Sequence, residues 1–111
     1  MTAASAFTAI ADLTERIKVQ PEATVSRTVL HAAGVRVVMF AFDAGQELTE
    51  HTAAMPVLLQ VLEGRLAITA DGHTEELLPG GLMHLDTRVP HAVFAHEPSL
   101  LVLAMLDGRS S

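Results

Sequence analysis

The chain has 111 residues, and its 7 Lys and Arg against 13 Asp and Glu give a formal net charge of −6. This length is typical of one domain. Half of the residues are apolar, which excludes a disordered chain. The absence of Cys excludes disulfides, thiolate metal sites and a thiol nucleophile. The acidic balance, without any cluster of Lys or Arg, argues against nucleic acid as a partner.

Nothing in the sequence predicts a membrane or exported protein. No apolar run reaches the roughly 18 residues that a membrane-spanning helix needs. The first five residues carry no basic region and lead into no long apolar stretch, so they predict no signal peptide. The absence of Cys leaves the compartment open, and the cytoplasm is the simplest expectation.

A helix is predicted only near the N-terminus. Phe7, Ile10, Leu13 and Ile17 are spaced by three, three and four residues, which is the spacing of one helix face. We therefore expect residues 1–24 to form a short helix or an arm ahead of the main domain.

From Val25 onward the sequence is typical of short β-strands. Apolar and β-branched stretches alternate with turn signals about every ten residues, which predicts about eight or nine strands. The strongest signal is Asp71-Gly72, because Asp-Gly favours a two-residue hairpin turn. We expect an all-β sandwich or barrel over residues 25–107, followed by a polar tail at 108–111.

Three stretches of sequence resemble a known family. They are the segment FDAGQELTEHTA at 42–53, the segment QVLEGRL at 60–66, and Pro79-Gly80-Gly81 followed by Val89-Pro90-His91. Together they are similar to the small single-domain cupins of the cupin 2 conserved barrel, RmlC-like type. The resemblance covers residues 25–106. It implies the cupin double-stranded β-helix, a jelly-roll-like barrel.

The resemblance also implies which positions hold a metal in the family. His51 and His91 fall in register with two of the four usual ligands, and the other two positions hold Ala53 and Val57. The sequence departs again at the family's Pro, Gly and Asn positions, which hold Asp86, Arg88 and Ala95. An ordinary metal-dependent oxygenase site is therefore incomplete in this chain.

His84 is the candidate for a third ligand, because it lies on a short predicted strand two residues before the family's Pro position. The predicted metal site is therefore His51, His91 and His84. Imidazole ligands suit Zn, Fe, Ni or Cu, and Mn and Co complete the set of candidate ions. The alternative is two buried histidines that are hydrogen-bonded to each other or to the backbone, with no metal.

Other candidate side chains are expected to lie outside this site. Gln60 is three residues from Val57 and so falls on the opposite face of its strand. Met55 is expected to pack in a pocket, although a thioether can assist a soft metal. The other histidines and the carboxylate beside His51 are predicted to be exposed or to face away: His31, His73, His96 and Glu50.

The resemblance implies a small-molecule pocket inside the barrel, and such pockets are mostly apolar. Its expected lining is Val57, Leu59, Met39 or Phe40, Leu66 or Ile68, Val93 and the two ligand histidines. No serine elbow, phosphate loop or organic-cofactor motif is visible, so the catalytic residues are unknown.

Three functions remain open. The first is a small-molecule or metal-binding protein with a reduced two-His site and no assignable reaction. The second is a metal-dependent oxygenase or isomerase that acts on a small organic substrate. The third is a structural or regulatory dimer with a vestigial pocket. We expect a homodimer in any case, because the predicted hairpin from Val25 to Phe42 can pair with a partner's sheet and the apolar content is high for a small monomer.

Overall fold

The structure is a computed structural model that describes residues 6–107. In this range the chain forms one 3-10 turn at Leu13–Glu15 and nine strands. The strands are β1 Thr24–Ala32, β2 Val35–Phe42, β3 Glu47–His51, β4 Val57–Glu63, β5 Leu66–Ala70, β6 His73–Leu77, β7 Leu82–Leu85, β8 His91–Ala95 and β9 Ser99–Leu106. The predicted all-β architecture is confirmed, while the predicted tail at 108–111 lies outside the described residues. Within 6–107 no helix has the length and apolar character needed to span a membrane.

The strands form two antiparallel sheets that pack face to face. The five-stranded sheet has the order β1-β2-β9-β4-β7, and the four-stranded sheet has the order β3-β8-β5-β6. Two neighbouring pairs, β1–β2 and β5–β6, are consecutive hairpins, and the other neighbours come from distant parts of the chain, as in a jelly roll. Because side chains alternate between the two faces of a strand, every second residue points into the space between the sheets.

The space between the sheets is filled by apolar side chains. The buried cluster there consists of Phe42, Val57, Leu59, Val61, Leu66, Ile68, Leu85, Val93, Ala95, Leu101 and Leu103. Five residues of the expected pocket lining belong to it and are at most 2% exposed: Val57, Leu59, Leu66, Ile68 and Val93. The expectation that they line an open pocket is therefore wrong, because they pack against one another as the core. Met39 faces the opposite side of the sheet, whereas Phe40 packs against this core.

The turns follow the predicted hairpins. Asp71 and Gly72 have φ values of 51° and 81°, so both central residues adopt the left-handed conformation that a two-residue hairpin requires. The first hairpin, β1 with β2, also forms as predicted, and Gly34 in its turn has a φ of 84°.

The N-terminal segment is an arm rather than a helix. Beyond the single turn at Leu13–Glu15 the described part of the segment is not helical, and Phe7 is 81% exposed. Three arm residues, Leu13, Ile17 and Val19, instead pack against Met39, Ala41 and Leu100 on the outer face of the five-stranded sheet. A short isolated helix is marginal in water, so packing on an apolar sheet face overrides the helical spacing. Residues 1–5 of the predicted segment lie outside the described residues.

Candidate functional site

Polar side chains collect at one end of the barrel, which we call the mouth. The mouth is the last layer of residues that face the space between the sheets: Arg36, Val57, Leu85 and Met105 from the five-stranded sheet, and His51, Ala70, His73 and His91 from the four-stranded sheet. The next layer down is apolar except for Glu75 at the edge strand β6. The mouth is therefore a layer with several polar residues that lies above a packed apolar core.

A β-bulge in β3 brings His51 to the same face as His91. Leu48 pairs with Val93 and His51 pairs with His91, so three positions along β3 correspond to two along β8. Without the extra residue, strict alternation would place Leu48 and His51 on opposite faces. Bulges often re-aim a side chain next to a functional site, and this bulge aligns the two histidines that the sequence predicted as ligands.

Both imidazoles are anchored in the same way. The His51 Nδ1 atom lies 2.8 Å from the carbonyl oxygen of Thr49, and the His91 Nδ1 atom lies 2.9 Å from the carbonyl oxygen of Val89. A carbonyl can only accept, so each Nδ1 carries the proton and donates. In the neutral imidazole this leaves the Nε2 lone pair free to accept a hydrogen bond or to bind a metal.

The two histidines, which we call the imidazole pair, differ in burial. His91 is 2% exposed, whereas His51 is exposed to solvent at the rim. The Nε2 atom of His91 is buried and has no hydrogen-bond partner, and among the buried side-chain atoms of residues 6–107 only the Thr24 hydroxyl shares that condition. A buried polar atom without a partner costs about 1–3 kcal/mol, so this nitrogen is a position at which a water molecule or a metal ion would be stabilised.

The imidazole pair brings two potential metal ligands side by side. The ring centres are 4.2 Å apart and the rings are inclined by 58°. Two imidazoles on one tetrahedral zinc ion, with Zn–N bonds of about 2.0–2.1 Å, would have ring centres roughly 5 Å apart, so the two rings have to move slightly apart to share an ion. Among the residues described, no three or more His, Cys, Asp or Glu side chains come together to hold a metal. The chain therefore supplies two ligands and leaves further coordination positions to water or a bound molecule.

His84 lies apart from the imidazole pair. It pairs with Leu58 on β4, and both neighbours of Leu58 on that strand, Val57 and Leu59, point into the core. Alternation therefore puts His84 on the outer face of the five-stranded sheet, where it is exposed. The structure does not bring this predicted third ligand to His51 and His91.

Most other side chains lie where the sequence predicted. Gln60, His31, His73, His96 and Glu50 are all exposed. Met55 is 39% exposed and lines a surface depression beside Met105 instead of contacting the pair. His73 was missed as a mouth residue, because only the register of β5 and β6 shows that it shares the face of His91.

The loop at residues 86–90, which we call the mouth loop, is fastened on both sides. The backbone N–H of Arg88 donates to the carbonyl of Ala53 at 2.9 Å, and the N–H of Asp71 donates to the carbonyl of Pro90 at 3.1 Å. Arg88 has a φ of 65°, the left-handed region that a residue with a side chain rarely adopts. The loop thus spans from the segment after His51 to the β5–β6 turn.

Solved structures match this fold along most of the chain. A conserved protein of unknown function from Streptococcus pyogenes is 24% identical, with a TM-score of 0.82, over 94% of this chain and 91% of that chain. An RmlC-like cupin from Desulfovibrio desulfuricans is 23% identical, with a TM-score of 0.80, over 90% of this chain and 97% of that one.

An enzyme is also among the matched structures. Salicylate 1,2-dioxygenase from Pseudoaminobacter salicylatoxidans, solved with gentisate, is 20% identical, with a TM-score of 0.71, over 78% of this chain but 25% of that one. No family model and no curated protein gave a match. At these identities the likeness shows the fold, and the chain has the cupin fold that the sequence predicted.

Proposed function

We propose that this cupin-fold protein binds a divalent transition metal through His51 and His91 and presents it to a small molecule at the mouth. The buried, unpartnered Nε2 atom of His91 is the observation that carries the proposal. The equivalent anchoring of the His51 ring supports it, because both Nε2 lone pairs are left free. The candidate ions are Zn, Fe, Ni, Mn, Co and Cu, of which Zn, Fe, Ni and Cu favour imidazole.

Different parts of the chain orient the two imidazole rings, exclude solvent from one side and leave the site open on the other. The Thr49 and Val89 carbonyls fix the two ring orientations, and the packed core beneath keeps solvent away from the buried side of His91. The exposed His51 leaves the site open toward solvent, so a small molecule is expected to bind at the mouth and not within the barrel. A bound metal would supply a Lewis acid or an activated water there.

Metal stoichiometry, measured on protein purified without a metal-affinity tag, tests the proposal. After incubation with zinc and removal of the excess, we expect about one zinc per chain in the wild type and little in His51→Ala or His91→Ala. His84→Ala is the matched control, because His84 is an exposed histidine on the outer face. Equal zinc in all four proteins, or none in the wild type, would reject the site.

A metal-dependent oxygenase or isomerase is the second candidate function. Two protein ligands leave several coordination positions for a substrate and a second reactant, and the salicylate 1,2-dioxygenase is an enzyme on the same fold. No nucleophile motif offers a metal-free route, so any turnover should stop with a strong chelator and return when metal is added. Turnover that persists in metal-free protein would contradict this candidate.

The third candidate, a structural or regulatory dimer, depends on the assembly. We propose a homodimer that forms through the first hairpin, because β1 is the outer strand of its sheet. An apolar groove beside it, lined in part by Val29, Leu30, Val37 and Val102, supports this surface.

A further inference from the structure

We infer that the mouth binds a small organic carboxylate, held by Arg36 and Arg88 over the imidazole pair. This inference names the ligand class for the proposed site and depends on that proposal for the position of the ligand. The charges around the mouth differ from those of the molecule as a whole.

The mouth layer contains no carboxylate although the chain carries a net charge of −6. Its polar members are Arg36, His51, His73 and His91, and the rest of the layer is Val57, Leu85, Met105 and Ala70. The carboxylates adjoining the layer are Glu50 beside His51, Asp71 and Asp86 on the neighbouring turns, and Asp107 two residues after Met105. The Asp86 side chain accepts a hydrogen bond from the Thr87 N–H, and Asp107 lies beside Arg36 in a surface depression. A layer of cationic and imidazole groups favours an anionic ligand.

Arg36 reaches this layer from the five-stranded sheet. Arg36 is the second residue of β2 and lies on the same strand face as Phe40 and Phe42, which pack in the core. Its side chain therefore starts on the inward face of the sheet, at the mouth end of the strand. Its guanidinium makes one long contact, 3.4 Å to the hydroxyl of Thr28 on β1, and no ion pair with any described residue. Arg36 also lines the surface depression that contains Met55, Met105 and Asp107, so it has to swing toward the imidazole pair when a ligand binds there. The sheets pack roughly 10 Å apart, a distance that a long arginine side chain can largely cross.

Arg88 reaches the mouth from the mouth loop. Its N–H bond to Ala53 holds it beside the segment that follows His51, and Val89, the next residue, anchors the ring of His91. Its guanidinium is exposed and forms no hydrogen bond or ion pair within the described part of the chain. Arg88 thus places an unpaired guanidinium next to the candidate ligands. Its backbone adopts a left-handed conformation that costs free energy.

A carboxylate matches these groups better than a neutral molecule does. The planar fork of a guanidinium pairs with both oxygens of a carboxylate, and such charge-assisted bonds are about twice as strong as neutral ones. A carboxylate oxygen is also a good ligand for the divalent ions that two imidazoles would hold. The same ligand can therefore satisfy the arginines and the open coordination positions.

Benzoate and benzamide are the matched probes, because they share one shape and differ in charge. Metal-free, ¹⁵N-labelled protein is titrated with each probe while the backbone amides and the arginine Nε–H signals are followed by NMR. We expect benzoate to cause saturable shifts at Arg36, Arg88 and His91, and benzamide to cause none there. Equal responses to the two probes, or no saturable shift at these residues, would overturn the inference even without a variant.

A pair of double variants tests the arginines themselves. Arg36→Gln with Arg88→Gln should weaken benzoate binding at least about tenfold. Arg16→Gln with Arg65→Gln removes the same two charges from exposed positions outside the mouth and should leave the affinity within about twofold. Equal affinities in the two double variants would overturn the inference. If the first variant does not fold, the wild-type shift map remains the test.

Zinc binding measured on the same samples separates the two proposals. Arginine-dependent benzoate binding without zinc uptake contradicts the metal site and supports the carboxylate site. Zinc uptake with benzoate binding that ignores both arginines contradicts the carboxylate site alone. With both sites intact, zinc-loaded protein should bind benzoate more tightly than metal-free protein does.

Discussion

At the scale of single residues, His51 and His91 share one backbone anchor but occupy different environments. His91 is almost fully buried beside the core, whereas His51 is exposed at the rim. The two other positions that carry metal ligands in resembling cupins hold Ala53 and Val57, and both contact the apolar core. Apolar side chains therefore occupy two positions of the proposed metal site, and a single substitution should be able to add a ligand there.

Ala53→His is predicted to strengthen zinc binding roughly tenfold or more, because a third protein ligand completes the number typical of zinc sites. Ala53 is half-buried, lies two residues after His51 and packs against the apolar core, so a histidine there starts close to the proposed site. Zinc affinity is measured by competition with a chelator. Ala54→His, one residue along at an exposed position, is the control and should change little. A similar gain in both variants would show that the added histidine acts without completing the site.

At the scale of strands and turns, the alternation of apolar residues and the Asp71-Gly72 signal were enough to predict the strands and one hairpin. Alternation also predicts that Gln60 faces outward, as it does. It does not reveal the bulge in β3, because one extra residue leaves no mark on the residue types. The helical spacing of the arm predicted a helix that does not form. The packing of Leu13 and Ile17 on the sheet determines the conformation there, and spacing along the sequence does not show this packing.

Gly64 joins β4 to β5 in a left-handed conformation with a φ of 86°, and a Cβ at this position would collide with Ser99 and the carbonyl of Pro98. Gly64→Ala should therefore lower the free energy of unfolding by the left-handed cost of about 1–2 kcal/mol, plus roughly 1–3 kcal/mol for overpacking. Gly72→Ala is the control, because Gly72 has a φ of 81° with open space around it. Urea unfolding that gives equal losses for the two variants would contradict the close approach at Gly64.

Asp43 ties the arm to the end of β2, since its carboxylate accepts hydrogen bonds from the backbone N–H groups of Glu22 at 2.7 Å and Ala44 at 2.8 Å. These bonds, that from Glu22 first, lower the pKa of Asp43 below its ordinary value of 3.8. A carboxyl whose pKa is lowered by folding stabilises the protein above its unfolded pKa, and this stabilisation is lost as the pH falls through the lowered value.

Asp43→Asn should therefore be less stable than the wild type at pH 7, and the difference should shrink as the pH falls below 3.8. Urea unfolding at a series of pH values measures the difference. Glu97→Gln, which removes one exposed carboxylate elsewhere, controls for the loss of a negative charge. A difference between Asp43→Asn and the wild type that stays constant down to the lowest pH would mean that the Asp43 hydrogen bonds do not depend on its charge.

At the scale of the whole molecule, the sequence was sufficient for the two-sheet fold but not for the shape of its interior. The resemblance placed an apolar pocket between the sheets, yet Leu59, Ile68 and Val93 fill that space. The sequence contains the same apolar side chains whether they line a cavity or fill it. Only their packing in the structure distinguishes a pocket from a closed core. The candidate binding region consequently lies at the mouth, where the polar layer meets solvent.

Assembly is tested by light scattering. We expect a mass of about twice the monomer's 11.8 kDa at tens of micromolar, because apolar surface beside an unpaired strand edge favours association. Leu30→Asp, on β1 in the apolar groove, should shift the mass toward that of the monomer. Phe94→Asp places the same charge on the other sheet and should leave the mass unchanged. A wild-type mass near 12 kDa over this range would rule out the dimer.

The central claim is that His51 and His91 hold one metal ion through their Nε2 atoms. Anomalous diffraction at the zinc absorption edge, from crystals of zinc-loaded protein, tests it most directly. We expect one strong peak at the mouth, about 2.0–2.1 Å from both Nε2 atoms, while both Nδ1 atoms keep their bonds to the Thr49 and Val89 carbonyls. A map from zinc-loaded crystals with no peak between the two rings, or with zinc bound only at other histidines, would contradict it.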